Sequence, residues 1–256
     1  MTPTPVGMRC PECATQRTRV VRNPVGTASG FSAFPATAVL IALNVIVYLI
    51  EIAGAGGGGH GLLKEMGIER IYNMGGLWGP AVSEGGQWWR MITNGFVHVS
   101  LLHIGFNMYL LFVLGRLMEP SIGTPRFVVL YFASLLAGSF VALLIEPNTV
   151  SAGASGAIFG VLGATFIIAR GRRLDAVAGQ IGGLILLNLV FTFADGHISI
   201  GAHVGGLICG VLCGFLIAAG ERGKLGETSA RGRLAVELGA MAALGVLSFV
   251  LGLAVA

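Results

Sequence analysis

Charge is scarce in this sequence. Only 11% of its 256 residues are charged, and just two are lysines and two aspartates, where a soluble domain carries roughly 25% charged residues. That scarcity excludes an ordinary water-soluble globule. With 54% apolar residues and a mean hydropathy of +0.82, most of the chain belongs in lipid. The net charge of +4 is small, and the basic residues flank apolar runs, which reads as topology signalling and not as nucleic-acid binding. Cysteine is also scarce. The four present fall into the pairs Cys10/Cys13 and Cys209/Cys213, which do not make a secreted disulfide framework. The first thirty-five residues contain no apolar core of signal-peptide type, so the first apolar run reads as a retained span. Glycine, by contrast, is abundant at 41 residues. In lipid, small residues let helix backbones approach closely, so the excess points to tightly packed spans.

A hydrocarbon core about 30 Å thick takes about 20 apolar residues per helix. On that measure the spans fall near 36–53, 98–118, 126–146, 154–169, 178–194, 199–219 and 235–255. The positive-inside rule tests the count. Arg9, Arg17, Arg19 and Arg22 place the N-terminus in the cytoplasm. Alternation then puts Arg116, Arg126, Arg170, Arg172, Arg173, Arg222, Lys224, Arg231 and Arg233 on the same side. Seven spans, N-terminus inside and C-terminus outside, is the self-consistent topology. The 54–97 connection ends in Gln87-Trp88-Trp89-Arg90; adjacent tryptophans beside an arginine suit a membrane–water interface.

The fourth run, 154–169, covers only about 24 Å at 1.5 Å per residue. The missing thickness falls to the polar, irregular stretch 147–153, which lipid tolerates only where it is buried in protein or lines a wet cavity. Ser155, in Gly153-Ala154-Ser155-Gly156, therefore sits below the outer surface at the top of a helix. A lone GxSG is a weak motif, and serine at a helix start is a common cap. A nucleophilic serine needs a base within reach, and both lysines, Lys64 and Lys224, lie outside the spans. His203 lies about one turn into the sixth span, and an ionisable residue there is a functional candidate by default. The bland alternative is a neutral imidazole bonded to a backbone carbonyl. Gly206, Gly210 and Gly214 recur every four residues beside it, and Gly156 and Gly160 stripe the fourth span. Two glycine-faced helices packed together bring Ser155 towards His203. At the start of the second span, His98, His103 and Asn107 form a polar cluster, with His103 and Asn107 on one helix face. Such side chains suit an oxyanion-binding role; interhelical hydrogen bonding is the competing role.

Together these residues resemble the rhomboid intramembrane serine proteases over roughly 36–220. The resemblance rests on Trp89-Arg90 before the second span, His98-x4-His103-x3-Asn107, Gly153-Ala154-Ser155-Gly156, and Ala202-His203-x2-Gly206-x3-Gly210. It implies an all-α, polytopic membrane helix bundle: a six-helix rhomboid core plus one C-terminal transmembrane helix. The divisions are 1–35, a cytoplasmic segment; 36–220, the protease domain; and 221–256, a linker and the seventh helix. It further implies that Ser155 attacks, His203 takes its proton, His103 and Asn107 hold the oxyanion with the Ser155 amide, and His98 belongs to the same polar cavity. Many relatives carry tyrosine where this chain has Phe159, whose ring still has a place to stack on His203. Trp89, Arg90, Glu119, Gly206 and Gly210 would be structural. The family pairs an arginine before the second span with a glutamate near its end, here Arg90 and Glu119, which the charge ladder places far apart in depth. Implied substrates are single-pass transmembrane proteins in the bilayer, cut near their outer ends in a bacterial-type plasma membrane, with no nucleic acid and no cofactor. The oligomeric state is left open.

At the N-terminus, Cys10-Pro11-Glu12-Cys13 looks like half of a zinc knuckle, although a structural zinc takes four ligands. Cys209 and Cys213 read as packing residues. There is no HExxH motif, and neither aspartate stands in a GxGD context. Three other functions compete with the protease. A zinc site built from His98, His103 and His203 is one. A transporter is another, but it calls for a repeat that the sequence does not contain. A catalytically inactive relative acting as a scaffold or chaperone is the third, and retention of both Ser155 and His203 argues against it.

Overall fold

A computed structural model describes residues 2–4, 7–9, 33–54, 75–194, 198–223 and 229–256. The chain divides into two units, 1–32 and 33–256. In the first, β1 (Thr2–Thr4) and β2 (Gly7–Arg9) pair antiparallel, Pro3 opposite Met8. Cys10 and Cys13 lie outside the described residues.

Among the described residues of the second unit the elements are helices, apart from one isolated bridge: α1 (Pro35–Gly54), the short α2 (Gly79–Ser83) and α3 (Arg90–Thr93), α4 (Leu101–Ile122), α5 (Thr124–Ile145), α6 (Ser155–Gly171), α7 (Asp175–Ala194), α8 (Ile200–Glu221) and α9 (Ala230–Val255). Six of these are long and apolar enough to cross a membrane, and α6 is a shorter apolar helix of 17 residues. The protein is a multi-pass membrane helix bundle.

The short α6 is the most enclosed of these helices, with twelve of its residues buried. The outer helices turn bulky side chains outward, such as Leu49 and Ile50 on α1 and Leu186 and Phe193 on α7, as lipid requires. Between α6 and α8 the glycine stripes interlock. A Cβ on Gly206 would run into the Gly156 carbonyl, and one on Gly210 into the Gly160 carbonyl. With no side chains between them, the backbones come close enough for the starts of the two helices to meet.

Glu119 and Arg90 do not pair. Glu119 is buried near the end of α4, where it accepts bonds from the Ala36 and Thr37 amides and from the Thr37 and Thr124 hydroxyls, at 2.7–2.9 Å. It ties the start of α1 to the α4–α5 corner. Arg90 donates to Gln87 Oε1 at 2.7 Å and to the Gly76 carbonyl at 2.5 Å. The pairing implied by the resemblance is corrected: the two side chains serve different ends of the bundle. Trp88 and Trp89 are half exposed and meet edge to face, and Trp88 also meets Phe249 of α9.

Helix α9 is fastened along α5. Its Glu237 is buried and forms an ion pair with Arg126 of α5, while Gly245 lies against Ala133 and Gly252 against Met91. Removing one partner of a buried pair leaves a charge uncompensated, at a cost of roughly 3–5 kcal/mol. Arg126 is 26% exposed and its head can reach towards the interface. Glu237→Ala should therefore lower stability in detergent by about 2–3 kcal/mol, read as the midpoint of thermal or denaturant unfolding. An unchanged midpoint would mean that α9 is held by apolar packing alone.

Candidate active site

The starts of α4, α6 and α8 converge on one end of the bundle, each prepared by a local device. Ser100 caps α4 by accepting the His103 amide, and Ser199 caps α8 by accepting the Ala202 amide. The Glu146 carboxylate receives the Ser199 hydroxyl at 2.6 Å and the Ile200 and Gly201 amides at 3.1 and 3.3 Å, a negative charge at the positive end of a helix dipole. The first N–H groups of a helix have no helical partners, and at α6 no capping side chain takes them up.

The segment before Ser155 is pinned at four points to residues 77–98. The Gly79 amide donates to the Pro147 carbonyl, Leu77 and Ser151 exchange backbone bonds at 2.8 and 2.9 Å, and the Gly153 amide donates to the Asn94 carbonyl at 2.8 Å. Finally, the Ala154 amide reaches His98 Nε2 at 3.4 Å. The other His98 nitrogen lies 3.2 Å from the Phe96 carbonyl. A carbonyl only accepts, so Nδ1 carries the proton and Nε2 is free to receive the amide. His98 is thus a buried staple. It precedes α4, which begins at Leu101, and it holds the amide of the residue before Ser155. This corrects its expected place at the head of the second span.

Ser155 Oγ lies 2.7 Å from His203 Nε2. The Phe159 ring stacks on the imidazole, centroids 4.1 Å apart and planes 21° from parallel. The second imidazole nitrogen, Nδ1, is 2.6 Å from the hydroxyl of Thr192 on α7. Both nitrogens of His203 are therefore engaged, and neither Glu51 nor Glu146 bonds to the ring. Asp195 lies outside the described residues. On α4, Asn107 donates one amide hydrogen to the His103 carbonyl at 3.0 Å, and the His103 ring meets His98 edge-on at 5.0 Å. Among the described residues, no group of three or more His, Cys, Asp or Glu is placed to hold a metal ion, and His98 and His203 already use their ring nitrogens on protein partners. Cys209 and Cys213 are buried in the apolar core.

Ser155, His203, His103, Asn107 and Phe159 all line one cavity of about 980 Å³. Most of its wall is apolar, with Leu102, Phe106, Ile158 and Phe191 among its residues. That is the usual composition of a ligand pocket, in which a few polar groups fix orientation. Gly153 passes over it with φ +122°, and a Cβ there would lie 2.7 Å from the His103 ring. Gly153→Ala joins backbone strain of about 1–3 kcal/mol to a steric clash. It should displace His103 and reduce serine-directed probe labelling while leaving the protein helical by circular dichroism. Labelling at the unaltered rate would mean that the loop relaxes without disturbing the site.

Sequence reasoning missed Thr192 and the Asn94 and Ser151 anchors. Asn188 and Thr192 stand four apart in a run that from Ile181 to Ala194 is otherwise apolar or glycine, a polar pair on one face that was there to be read.

The fold and site define a polytopic membrane protein whose helices enclose a cavity with a serine–histidine pair in its wall. The Rhomboid domain family profile matches residues 85–220, and the chain belongs to the rhomboid family. It is 32% identical over 195 residues to Rhomboid protease GluP of Bacillus subtilis, covering 75% of this chain and 36% of GluP. Against YdcA of the same organism it is 28% identical over 188 residues, 72% of this chain and 88% of YdcA. It is also 31% identical over 143 residues to Inactive RHOMBOID-like protein 8 of Arabidopsis thaliana, covering 52% of this chain and 40% of that one.

Proposed function

We propose that this chain is an intramembrane serine endopeptidase that cleaves transmembrane segments of membrane proteins near the outer face, using Ser155 and His203 as a dyad. The observation that carries the reading is the 2.7 Å contact between Ser155 Oγ and His203 Nε2 in the cavity wall. His203 takes the serine proton as Oγ bonds to the scissile carbonyl carbon, and the carbonyl electron pair moves onto its oxygen. The first N–H groups of α6, including that of Ser155, together with Asn107 and His103, surround the place for that oxyanion. Collapse breaks the C–N bond, and the leaving amine takes the proton from Nε2. Water then repeats the sequence on the acyl-serine with His203 again as base.

Stacking of Phe159 favours the imidazolium formed in the first step, since a cation over an aromatic face gains about 0.5–2 kcal/mol. Substrates are single-pass transmembrane proteins that reach the cavity from the bilayer. The arginine ladder places the N-terminus in the cytoplasm and the C-terminus outside a bacterial-type plasma membrane. The deciding experiment incubates purified protein, wild type against Ser155→Ala, with a generic transmembrane substrate. Cleavage by the wild type alone supports the reading. A folded wild type that binds the substrate and leaves it intact favours a non-catalytic scaffold, and one similar protein is itself named inactive.

A further inference from the structure

We infer that Thr192 is a positioning residue that fixes the protonation form of His203, through a hydroxyl whose own hydrogen is held by the α7 backbone. The inference rests on the dyad reading above and adds a member to it.

Thr192 Oγ1 lies 2.7 Å from the Asn188 carbonyl, one turn earlier on α7, and 2.6 Å from His203 Nδ1. A threonine hydroxyl has one hydrogen to give and two lone pairs. The carbonyl has nothing to donate, so that contact is a hydrogen bond only if the hydroxyl hydrogen points at it, the i−4 back-bond that threonine makes inside helices. The oxygen then faces Nδ1 as an acceptor, and Nδ1 must carry the imidazole hydrogen. In a neutral ring this leaves Nε2 with its lone pair towards Ser155 Oγ at 2.7 Å. That is the tautomer able to take a proton from the serine. The opposite tautomer would place a hydrogen between Nε2 and the serine oxygen and present no base.

The burial of Thr192 fits this role. On α7 only Ala178, Ile181 and Thr192 are buried, while its neighbours Val190, Phe191 and Phe193 are all more than half exposed. Ordinary core packing is sparse at this end of the helix, and Thr192 is covered where α7 meets the imidazole. The arrangement does the orienting work of a triad carboxylate with a neutral group. It keeps the charge of a buried acid out of the site, where an unpaired carboxylate is costly. It also fastens α7, the most lipid-exposed wall of the cavity, directly to the base, so the tautomer depends on α7 holding its position.

The test compares Thr192→Val, which keeps the shape and removes the hydroxyl, with Thr192→Ser, which restores it. Both are measured as full-length protein in detergent against the wild type, with kcat and KM resolved separately and thermal midpoints recorded. Thr192→Val should lower kcat about tenfold, the equilibrium factor of one net hydrogen bond, with KM within twofold, and Thr192→Ser should return kcat to near the wild-type value. A Thr192→Val enzyme with unaltered kcat overturns the inference. So does a well-folded Thr192→Ser enzyme as slow as the valine variant. A second measurement does not depend on how the Thr192 variants fold. In ¹⁵N-histidine-labelled wild type, the ring signals absent from His203→Ala should report a neutral imidazole protonated at Nδ1, and protonation at Nε2 overturns the relay. If wild-type protein shows no Ser155-dependent cleavage, the protease reading fails, while the nitrogen signals still decide the role of Thr192.

Discussion

Ser155→Ala and His203→Ala should each lower turnover of a transmembrane substrate by roughly 10⁴–10⁶, and the double variant should be no slower than either alone. Residues that act as one unit are strongly non-additive, because losing either leaves nothing for the other to do. The 2.7 Å contact between the two side chains makes them such a unit. Independent contributions would multiply, and the double variant would then fall below the single variants by a further factor of the same size. The measurement is single-turnover cleavage in detergent, with serine-directed probe labelling as a second readout. His203→Ala should also abolish labelling, since the hydroxyl is a weak nucleophile without its base. Multiplying defects, or labelling that survives His203→Ala, would dissolve the dyad. Neither Glu51 nor Glu146 bonds the imidazole: its two nitrogens meet hydroxyls, and Glu146 holds the start of α8.

The spans were legible because lipid leaves few solutions: backbone polar groups must be satisfied internally, so each long apolar run becomes a helix. The seven expected spans correspond to α1, α4, α5, α6, α7, α8 and α9. The approach of Ser155 to His203 was legible for a related reason. Glycines at matching four-residue spacing on two spans do little except let backbones touch, and Gly206 and Gly210 do so against the carbonyls of Gly156 and Gly160.

What escaped the sequence were the partners of Thr192, His98, Arg90 and Glu119. Thr192 has a local bond available on its own helix, so its presence in a span raised no demand for a distant partner. His98 lies three residues from Leu101 in a run that reads as continuous helix, yet Ser100 is an extended cap at φ −157°, and the chain turns before it. The serine before the apolar run was a usable start signal, outweighed by the apolar count. For Arg90 and Glu119 the charge ladder was the better guide than the resemblance. A contact depends on depth, and the two residues stand at opposite ends of the bundle with their own partners.

Asn107→Ala should lower kcat by roughly 10²–10³, the usual cost of removing one oxyanion donor, with KM nearly unchanged. Asn107 is almost fully buried, 3% exposed, and lines the cavity. Of its two amide hydrogens one is given to the His103 carbonyl, which leaves the second for an oxygen in the cavity. Its bond runs within α4 and ties no other helix, so alanine removes the donor without unlocking the bundle. The thermal midpoint should move by only a few degrees, as for a loss of about 1 kcal/mol in a protein of this size. In the proposed mechanism the donor acts on charge that develops as Ser155 adds to the carbonyl, so the loss should fall on kcat and spare ground-state binding. Asn107→Asp provides the sharper control. It keeps the shape, replaces the donor by an acceptor, and places a carboxylate where negative charge must form, so it should be at least as slow as alanine. If Asn107→Ala collapses the midpoint by tens of degrees, or raises KM with kcat intact, Asn107 holds helices or substrate, and the oxyanion is stabilised by the first N–H groups of α6 and by His103 without it.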